Sequence, residues 1–294
     1  MVRASLSVAL VLGSALSAAA TERPPITGVA SIAFRVSDVA KARSFYTGLL
    51  GYDELDHDGD AARPARVRFE VNERQHIEIV TGLPPDQIER LLHVGFETTD
   101  AAALRAYLIE KGIQVPEPSM DAGDRVLRVR DPDGHDVDFV EYTSTGRGRP
   151  RRPGPISANR VSARILHVGL SVRDLAAADR FYKDVLGFSE IWRGGRDDTR
   201  TDWVNMKVPD GTEYLEYMLT GGEPVDRARL GSMHHVALVV PDIEQALETV
   251  RARPGGWDRQ TVRNPQVGRN RRWQLNLFDP DGSRAELMEP YTMR

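Results

Sequence analysis

The chain of 294 residues contains no cysteine. This absence excludes disulfide bonds, thiolate metal sites and a cysteine nucleophile, so any site chemistry must use other side chains. Its formal net charge is −4, which gives no reason to expect a nucleic-acid partner. Apolar runs are too short for a membrane span. With 40% hydrophobic and 28% charged residues, the composition is that of an ordinary globular protein.

Residues 1–20 differ from the rest of the chain. Arg3 precedes an apolar stretch from about Ala4 to Leu16, and a run of small residues ends at Ala20. This order is typical of a secretory signal peptide cleaved near Ala20. The pattern predicts a secreted or periplasmic protein, and a disordered or anchored N-terminal tail is the alternative.

One phrase recurs four times along the chain: an alternating strand, an aspartate and a run of helical period. It reads "SIAFRVSDVAKARSFY", "HVGFETTDAAALRAYL", "HVGLSVRDLAAADRFY" and "HVALVVPDIEQALETV". The aspartates are predicted to cap the helices that follow: Asp38, Asp100, Asp174 and Asp242. Glycine-bearing turns are predicted to end these helices, and two or three strand-like runs follow each one. The second and fourth repeats carry "DPDG", at Asp131–Gly134 and Asp279–Gly282, which predicts a tight turn between strands.

A segment rich in proline, glycine and arginine, "TSTGRGRPRRPGPISANR", divides the repeats into two pairs. Its composition predicts a linker over residues 143–160. The predicted domains are therefore 28–142 and 161–291, each with two repeats.

Strand alternation distinguishes the histidines of the second half. His167 shares a strand face with Gly169 and Ser171, whereas its direct neighbours along the chain are apolar. His235 lies similarly with Ala237. His234 falls on the apolar face, and we interpret it as structural.

Two carboxylates complete this candidate site. Glu216 and Glu286 alternate with apolar residues in the closing strands of the third and fourth repeats. Together with His167 and His235 they predict a nitrogen and oxygen site suited to one divalent ion, Zn, Ni, Co, Mn or Fe(II). Taken singly, each histidine could instead be a packing residue and each glutamate a solvated one.

Tandem βαβββ repeats with "HVGLSVRD" openings, "RFY" and "LGF" in the helices and "DPDG" before the last strand resemble the vicinal oxygen chelate superfamily. The resemblance extends from Gly28 to Pro290. It implies an α+β fold in which paired modules curl into half-barrels, with a divalent metal in the cup and a small-molecule substrate. The superfamily includes glyoxalase I, extradiol dioxygenases, epimerases and metal-free bleomycin-binding proteins.

The first half is predicted to be degenerate. Its equivalent positions hold Ser31, Glu78, His93 and Asp138, so one ligand is lost and one carboxylate is shortened. Some members of the superfamily pair the first repeat with the fourth and the second with the third. That alternative would group His93, Asp138, His167 and Glu216 in one cup.

The second half is most similar to glyoxalase I, whose four ligands correspond to His167, Glu216, His235 and Glu286. This resemblance implies proton transfer through a metal-stabilised enediolate, with Glu286 shuttling the proton and Glu216 as its partner, in an isomerase, epimerase or lyase. An extradiol Fe(II) dioxygenase is one alternative, but "VGRNRRWQLNLFDP" lacks its histidine and has Asn276 in place of its tyrosine. A non-catalytic ligand-binding or resistance protein is another.

The substrate pocket is predicted from residue types near these strands. Arginine suits an acidic or hydroxylated ligand and tryptophan suits a ring, although surface arginines and core tryptophans are the ordinary alternative. Glutathione is mainly a cytosolic thiol, so an exported protein is predicted to act on another oxygen-bearing compound. The candidate pocket residues are Trp203, Asn205, Arg269, Arg271 and Trp273.

Overall fold

The computed structural model describes residues 21–146, 156–255 and 257–293. The predicted signal peptide, residues 1–20, and residues 147–155 of the predicted linker lie outside the described residues. Within the described part of the chain, no helix is long and apolar enough to cross a membrane.

The N-terminal half contains eight strands and two helices. In chain order they are β1 (Ile26–Val36), α1 (Val39–Arg43) continued by a π-helical segment (Ser44–Leu49), β2 (Asp53–Asp58), β3 (Arg66–Glu70), β4 (His76–Thr81), β5 (Leu91–Thr98), α2 (Ala101–Glu110), β6 (Ser119–Asp121), β7 (Asp124–Arg130) and β8 (Asp136–Glu141).

The C-terminal half repeats this order and has one additional helix, α4. Its elements are β9 (Ile165–Val172), α3 (Leu175–Ala178) continued by a π-helical segment (Asp179–Val185), β10 (Ser189–Gly194), β11 (Trp203–Lys207), β12 (Tyr214–Leu219), α4 (Arg227–Met233), β13 (His235–Val239), α5 (Ile243–Arg251), β14 (Gln266–Val267), β15 (Trp273–Phe278) and β16 (Arg284–Met288).

Each half forms one curled sheet from its own two repeats. The strand orders are β2-β3-β4-β1-β5-β8-β7-β6 and β10-β11-β12-β9-β13-β16-β15-β14. The first strands of the two paired repeats lie side by side at the centre, β1 against β5 and β9 against β13. The predicted fold of four βαβββ modules paired into two half-barrels is therefore confirmed. The alternative pairing is wrong, because β9 lies between β12 and β13 of its own half.

Local sequence explains where the helices begin and end. The side chains of the four predicted capping aspartates accept bonds from backbone N–H groups in the first turns of α1, α2, α3 and α5. Gly51 and Gly187 follow the π-helical segments at φ of 78° and 80°, a conformation that glycine adopts without strain. The π-helical turns carry Tyr46 and Tyr182, both fully buried.

The two "DPDG" turns each reach across to the other half. Tyr182 donates a hydrogen bond of 3.0 Å to Oδ2 of Asp131, and Tyr46 donates one of 3.2 Å to Oδ2 of Asp279. The second aspartate of each turn accepts a bond from a backbone N–H of the opposite half; these pairs are Asp133 with Arg173 and Asp281 with Ser37. The halves therefore dock through reciprocal contacts of the same motif.

Apolar side chains continue this docking into the interior. Phe96 packs edge to face against Phe188 at 5.2 Å between ring centroids, and Phe45 contacts Trp257 in the same way at 6.4 Å. Buried residues of both halves belong to one hydrophobic cluster. The described halves thus share a core, and the second half presents its cup on a rigid support.

Candidate metal centre

The four predicted ligands come from the four central strands of the second sheet. Glu216 lies on β12, His167 on β9, His235 on β13 and Glu286 on β16, and these strands are consecutive in the sheet. His235 is in register with Gly169 of β9. A Cβ atom on Gly169 would lie 2.1 Å from the His235 ring, so only glycine leaves room for that ring.

The side chains converge on one point. Nε2 of His167 and Nε2 of His235 are 2.9 Å apart. Oε2 of Glu286 lies 3.6 Å from both of these nitrogens. Oε2 of Glu216 lies 3.4 Å from Nε2 of His235 and 3.8 Å from Nε2 of His167. All four residues are buried, and one ligand atom each from His167, Glu216 and His235 lie within 4.8 Å of one another.

Hydrogen bonds and burial favour the metal-binding form of both histidines. Nδ1 of His235 donates to the carbonyl oxygen of Met233 at 2.8 Å, which leaves the lone pair of Nε2 facing the centre. The ring of His167 stacks on Tyr214 at 4.4 Å between centroids. Burial lowers the pKa of His167 and of His235 well below the usual value, so both rings are neutral at physiological pH.

The same burial acts in the opposite direction on the carboxylate of Glu286. Its pKa is raised to about 7 by burial, which Arg284 partly offsets and the charge of Glu216 reinforces. Oε1 of Glu286 and Nδ1 of His167 have no hydrogen-bond partner among the described residues. Two neutral imidazoles and two carboxyl groups around one point form an electron-rich set of possible ligands. The donor set therefore fits a divalent ion with nitrogen and oxygen ligands.

A cavity of about 400 Å³ opens onto Glu216 and Glu286. Two tryptophans and four arginines contribute to its wall: Trp192, Trp203, Arg196, Arg229, Arg269 and Arg284. Of the predicted pocket residues, Trp203 and Arg269 line this cavity. No histidine or tyrosine of the described chain lines it. The titratable acids that face it are Glu216, Glu286 and Asp202, and Arg200 pairs with Asp202.

The other three predicted pocket residues lie elsewhere. Asn205 is buried beside Glu216 on the neighbouring strand. Trp273 packs against the hydrophobic core, because alternation on β15 directs Gln274 to the cavity instead. Arg271 lies in the turn before β15, at φ of 60°, and is exposed.

Sequence reasoning missed several cavity residues. Strand alternation predicts that Arg284 faces the cavity, since it precedes the candidate ligand Glu286 by two positions on β16. No such signal marks Arg229, Ser232 and Met233, which belong to or adjoin the short helix α4. That helix fits neither the repeat pattern nor a clear apolar period.

In the first half, arginines lie among the equivalent positions. Arg68 faces Glu78 in register, as Asn205 faces Glu216 in the second half, and its Nε lies 3.1 Å from Oε2 of Glu78. Arg128 faces Asp138, as Asn276 faces Glu286, and binds both of its oxygens at 2.6 and 2.7 Å.

Arg128 also reaches the remaining histidine of the first cup. Arg128 lies 3.4 Å from Nδ1 of His93, and Ser31 stands at the position equivalent to His167. In the described chain, guanidinium groups thus pair with the carboxylates that would otherwise be free for a metal.

Comparison with known proteins follows the same division into halves. The family sequence model of the Glyoxalase/Bleomycin resistance protein/Dioxygenase superfamily matches residues 28–139 and residues 164–287. The chain belongs to this superfamily. Both halves carry its fold, and the candidate metal centre lies within the second match.

Curated relatives within the superfamily include two bacterial lactoylglutathione lyases. The protein of Haemophilus influenzae is 32% identical over 126 residues, which cover 42% of this chain and 91% of the relative. That of Escherichia coli is 30% identical over 127 residues, covering 43% and 92%.

Solved structures similar to the whole chain include extradiol dioxygenases. Homoprotocatechuate 2,3-dioxygenase from Arthrobacter globiformis superposes with a TM-score of 0.67 at 21% identity, over 92% of this chain and 82% of that one. A 2,3-dioxygenase from Pseudomonas sp. KL28 gives 0.64 at 21% identity, over 90% and 95%. These similarities show a shared fold.

Proposed function

We propose that the C-terminal half is the active centre of a metal-dependent enzyme that transfers a proton next to vicinal oxygens of a small substrate. Isomerase, epimerase and lyase reactions all belong to this class. The observation that supports it is the convergence of His167, Glu216, His235 and Glu286 beneath a cavity onto which both glutamates open.

These four side chains would hold one divalent ion, which would act as a Lewis acid toward the substrate oxygens. His235 is fixed for this role by its bond to Met233, and His167 by stacking on Tyr214. The two carboxylates balance the charge of such an ion, so the centre as a whole is nearly neutral.

Glu286 is suited to move the proton. Its Oε2 faces the two histidines, whereas its Oε1 has no hydrogen-bond partner in the described structure. Oε1 is buried in this arrangement, but because no hydrogen bond holds it the carboxylate can turn toward the cavity, accept a proton from a substrate carbon and return it to a neighbouring atom. Glu216, on the opposite side of the histidines, is the partner carboxylate.

The cavity wall suggests the kind of substrate. Four arginines line it. Among the described residues only Arg269 of these four forms an ion pair, and its partner, Asp198, is highly exposed. Trp192 and Trp203 offer apolar faces. We propose a compound with vicinal oxygens and an anionic group, and export guided by residues 1–20 would make it a compound other than a glutathione conjugate.

Hydrogen exchange at carbon tests the proposal without knowledge of the natural substrate. Metal-reconstituted protein is incubated in deuterium oxide with lactoylglutathione or simple 2-hydroxy and 2-oxo acids, and deuterium incorporation is followed by NMR. Exchange that requires metal and is lost in Glu286→Gln at equal metal occupancy supports proton transfer. Absence of exchange with all probes, at full metal occupancy, argues against it.

Ring cleavage by a dioxygenase is the second candidate, because whole-chain structural similarity is to extradiol enzymes, one of which is described in complex with 3,4-dihydroxyphenylacetate. The cavity argues for proton transfer, since no histidine or tyrosine of the described chain lines it to act as a second acid or base. Oxygen consumption by the iron-loaded protein with 3,4-dihydroxyphenylacetate would instead favour ring cleavage over proton transfer.

A further inference from the structure

A second cluster of ligand-type side chains lies at the junction of the two halves. Glu89 precedes β5 and His135 follows the first "DPDG" turn, both in the N-terminal half, whereas His234 belongs to the C-terminal half. One ligand atom from each lies within 4.8 Å of the others. His234 is fully buried, His135 nearly so, and the side chain of Glu89 is 40% exposed, which gives access from solvent.

Each histidine already has the outer partner that metal-binding histidines usually have. Nδ1 of His135 lies 2.9 Å from Oδ2 of Asp131, which Tyr182 holds in place. Nε2 of His234 lies 2.9 Å from Oγ of Ser171. A carboxylate or hydroxyl on one ring nitrogen orients the other nitrogen toward a metal. That other nitrogen is Nε2 in His135 and Nδ1 in His234, and the latter is 2.8 Å from Oε1 of Glu89.

With both rings neutral, the cluster has one hydrogen-bond donor too few. If both neutral rings donate from Nδ1, to Asp131 and Glu89, both Nε2 atoms are left as acceptors. Nε2 of His135 and Nε2 of His234 face the same hydroxyl of Ser171, at 3.4 and 2.9 Å, and that hydroxyl has a single proton. One acceptor therefore lacks a donor within the cluster, and a cation there, either a proton on His135 or a metal ion between the rings, would satisfy it.

Neighbouring cations do not supply this charge. Arg90 donates to the carbonyl oxygens of Ile88 and Arg227, and Arg173 pairs with Asp133. In the described chain neither guanidinium donates to Glu89 or Asp131.

We propose that Glu89, His135 and His234 bind a second divalent metal ion, of the zinc class, which links the two halves. Two imidazoles and a carboxylate are a common zinc ligand set. In the bound state His135 keeps its bond to Asp131 and coordinates through Nε2, while His234 donates from Nε2 to Ser171 and coordinates through Nδ1. The other junction has Ser283 and Leu92 at the positions equivalent to His135 and His234, so we expect one such site per chain.

Zinc stoichiometry in a chain with the first centre disabled tests the proposal. The full-length variant His167→Ala/Glu286→Gln is equilibrated with zinc as the only metal and analysed for elements. We expect about one zinc per chain, lost on adding His135→Gln and retained on adding His57→Gln, a histidine outside both clusters. A folded variant that binds no zinc, or whose zinc survives His135→Gln, would overturn the proposal and leave a proton as the missing charge.

A second measurement keeps the test valid if the double variant fails to fold. In the otherwise unchanged chain, His135→Gln should lower the zinc content by one per chain and abolish part of the zinc-dependent rise in Tm. If the first centre binds no metal but the second site does, the parent should bind one zinc per chain, and His135→Gln alone should remove it. This result is distinct from failure of the second site. An unchanged zinc content in His135→Gln contradicts the second site.

Discussion

Gly169 controls the spacing of the candidate ligands more directly than any ligand does. Its missing side chain leaves the space that the His235 ring fills, with the ring atoms 2.1 Å from where a Cβ would be. The glycine in the "HVG" opening is therefore a requirement of the site and not of backbone conformation. No left-handed φ is involved at this position.

Gly169→Ala should consequently displace His235 and weaken metal binding at least about tenfold, with a loss of roughly 1–3 kcal/mol in unfolding free energy from overpacking. Competition with a metal-binding dye and denaturant unfolding measure the two effects. Gly48→Ala is the matched control, because nothing lies within 4 Å of a Cβ at that helical position. Equal metal affinity in both variants would show that the close approach is irrelevant to the site.

Glu286→Gln should separate proton transfer from substrate binding. The amide keeps the size of the side chain but cannot accept the proton, so we expect carbon exchange to fall by about 10²–10⁴-fold when the two proteins are compared at equal metal occupancy, since Glu286 is also a candidate ligand. KM should change little if the arginines of the wall bind the substrate. The control is Asp138→Asn at the equivalent position of the first half, which should leave exchange unchanged. A similar loss in both variants would point to a structural effect.

The buried carboxyl group of Asp279 should make the free energy of unfolding depend on pH. Burial raises its pKa to about 6, although backbone N–H groups of Ser283 and Asp281 bind the carboxylate. An acid with a folded pKa above its unfolded value of 3.8 binds its proton more tightly when folded. Its contribution to stability therefore decreases as the pH rises from about 4 to about 6 and stays reduced above that range.

Asp279→Asn should remove this pH-dependent contribution. The free energy of unfolding should then be higher than that of the parent by roughly 1–3 kcal/mol at pH 7, with little difference at pH 4. Urea unfolding across this range measures it. Asp131→Asn at the equivalent turn should have the opposite effect at pH 7. Although burial alone would raise the pKa of Asp131, its bond with His135 lowers it, so the ionised form stabilises the fold. Equal destabilisation by both changes would refute the assignment.

At the scale of elements, the regular strands could be predicted from sequence and the irregular segments could not. Alternation predicts that His167, His235, Glu216 and Glu286 lie on the strand faces opposite their apolar neighbours, because the period of a strand is fixed by its geometry. Residue type alone suggests Trp273 as a pocket residue, but the structure packs it against the core, since its position on β15 is opposite in parity to that of Gln274, which lines the cavity. Helix α4 and the π-helical turns depend on tertiary contacts, such as the bond from Arg90 to the Arg227 carbonyl oxygen, which no local pattern encodes.

Pairing of strands also explains why the first half carries no equivalent ligand cluster in the described chain. The positions that hold Asn205 and Asn276 in the second cup hold Arg68 and Arg128 in the first. A guanidinium is a fixed cation that satisfies the buried carboxylates permanently. Sequence alignment of the repeats shows that Ser31 replaces a histidine. Only the strand register shows that Arg68 and Arg128 lie opposite the two remaining carboxylates.

Arg68→Met should therefore destabilise the protein by about 3–5 kcal/mol, because it removes the closest partner of the buried Glu78 carboxylate. Denaturant unfolding of Arg68→Met, Glu78→Leu and the double variant forms the cycle that measures the coupling. We expect the double variant to recover part of the loss, since it removes the buried Glu78 charge together with its partner; the bonds from Arg68 to Asp56 and Asp121 are lost in both variants. Strict additivity of the two single changes would contradict the pairing.

For the whole molecule, the reciprocal turns and the shared core make the two halves one structural unit. Tyr182 and Tyr46 each anchor the turn of the opposite half, and Phe96 and Phe188 meet in the interior between them. The first half thus contributes to the candidate centre without ligands of its own. Segment 85–90 holds helix α4, whose end supplies the Met233 carbonyl that orients His235.

One cooperative unfolding transition should follow from this docking. Calorimetry of the full chain, with metals removed by chelation, should give equal calorimetric and van't Hoff enthalpies. The decisive variant is Arg68→Met, which lies wholly in the first half. If the halves unfold together, it shifts the single transition, and the near-ultraviolet signal of the tryptophans, all four of which lie in the second half, moves with it. If the halves were independent, a second transition would stay at the parent temperature, and the second cup would need no support from the first.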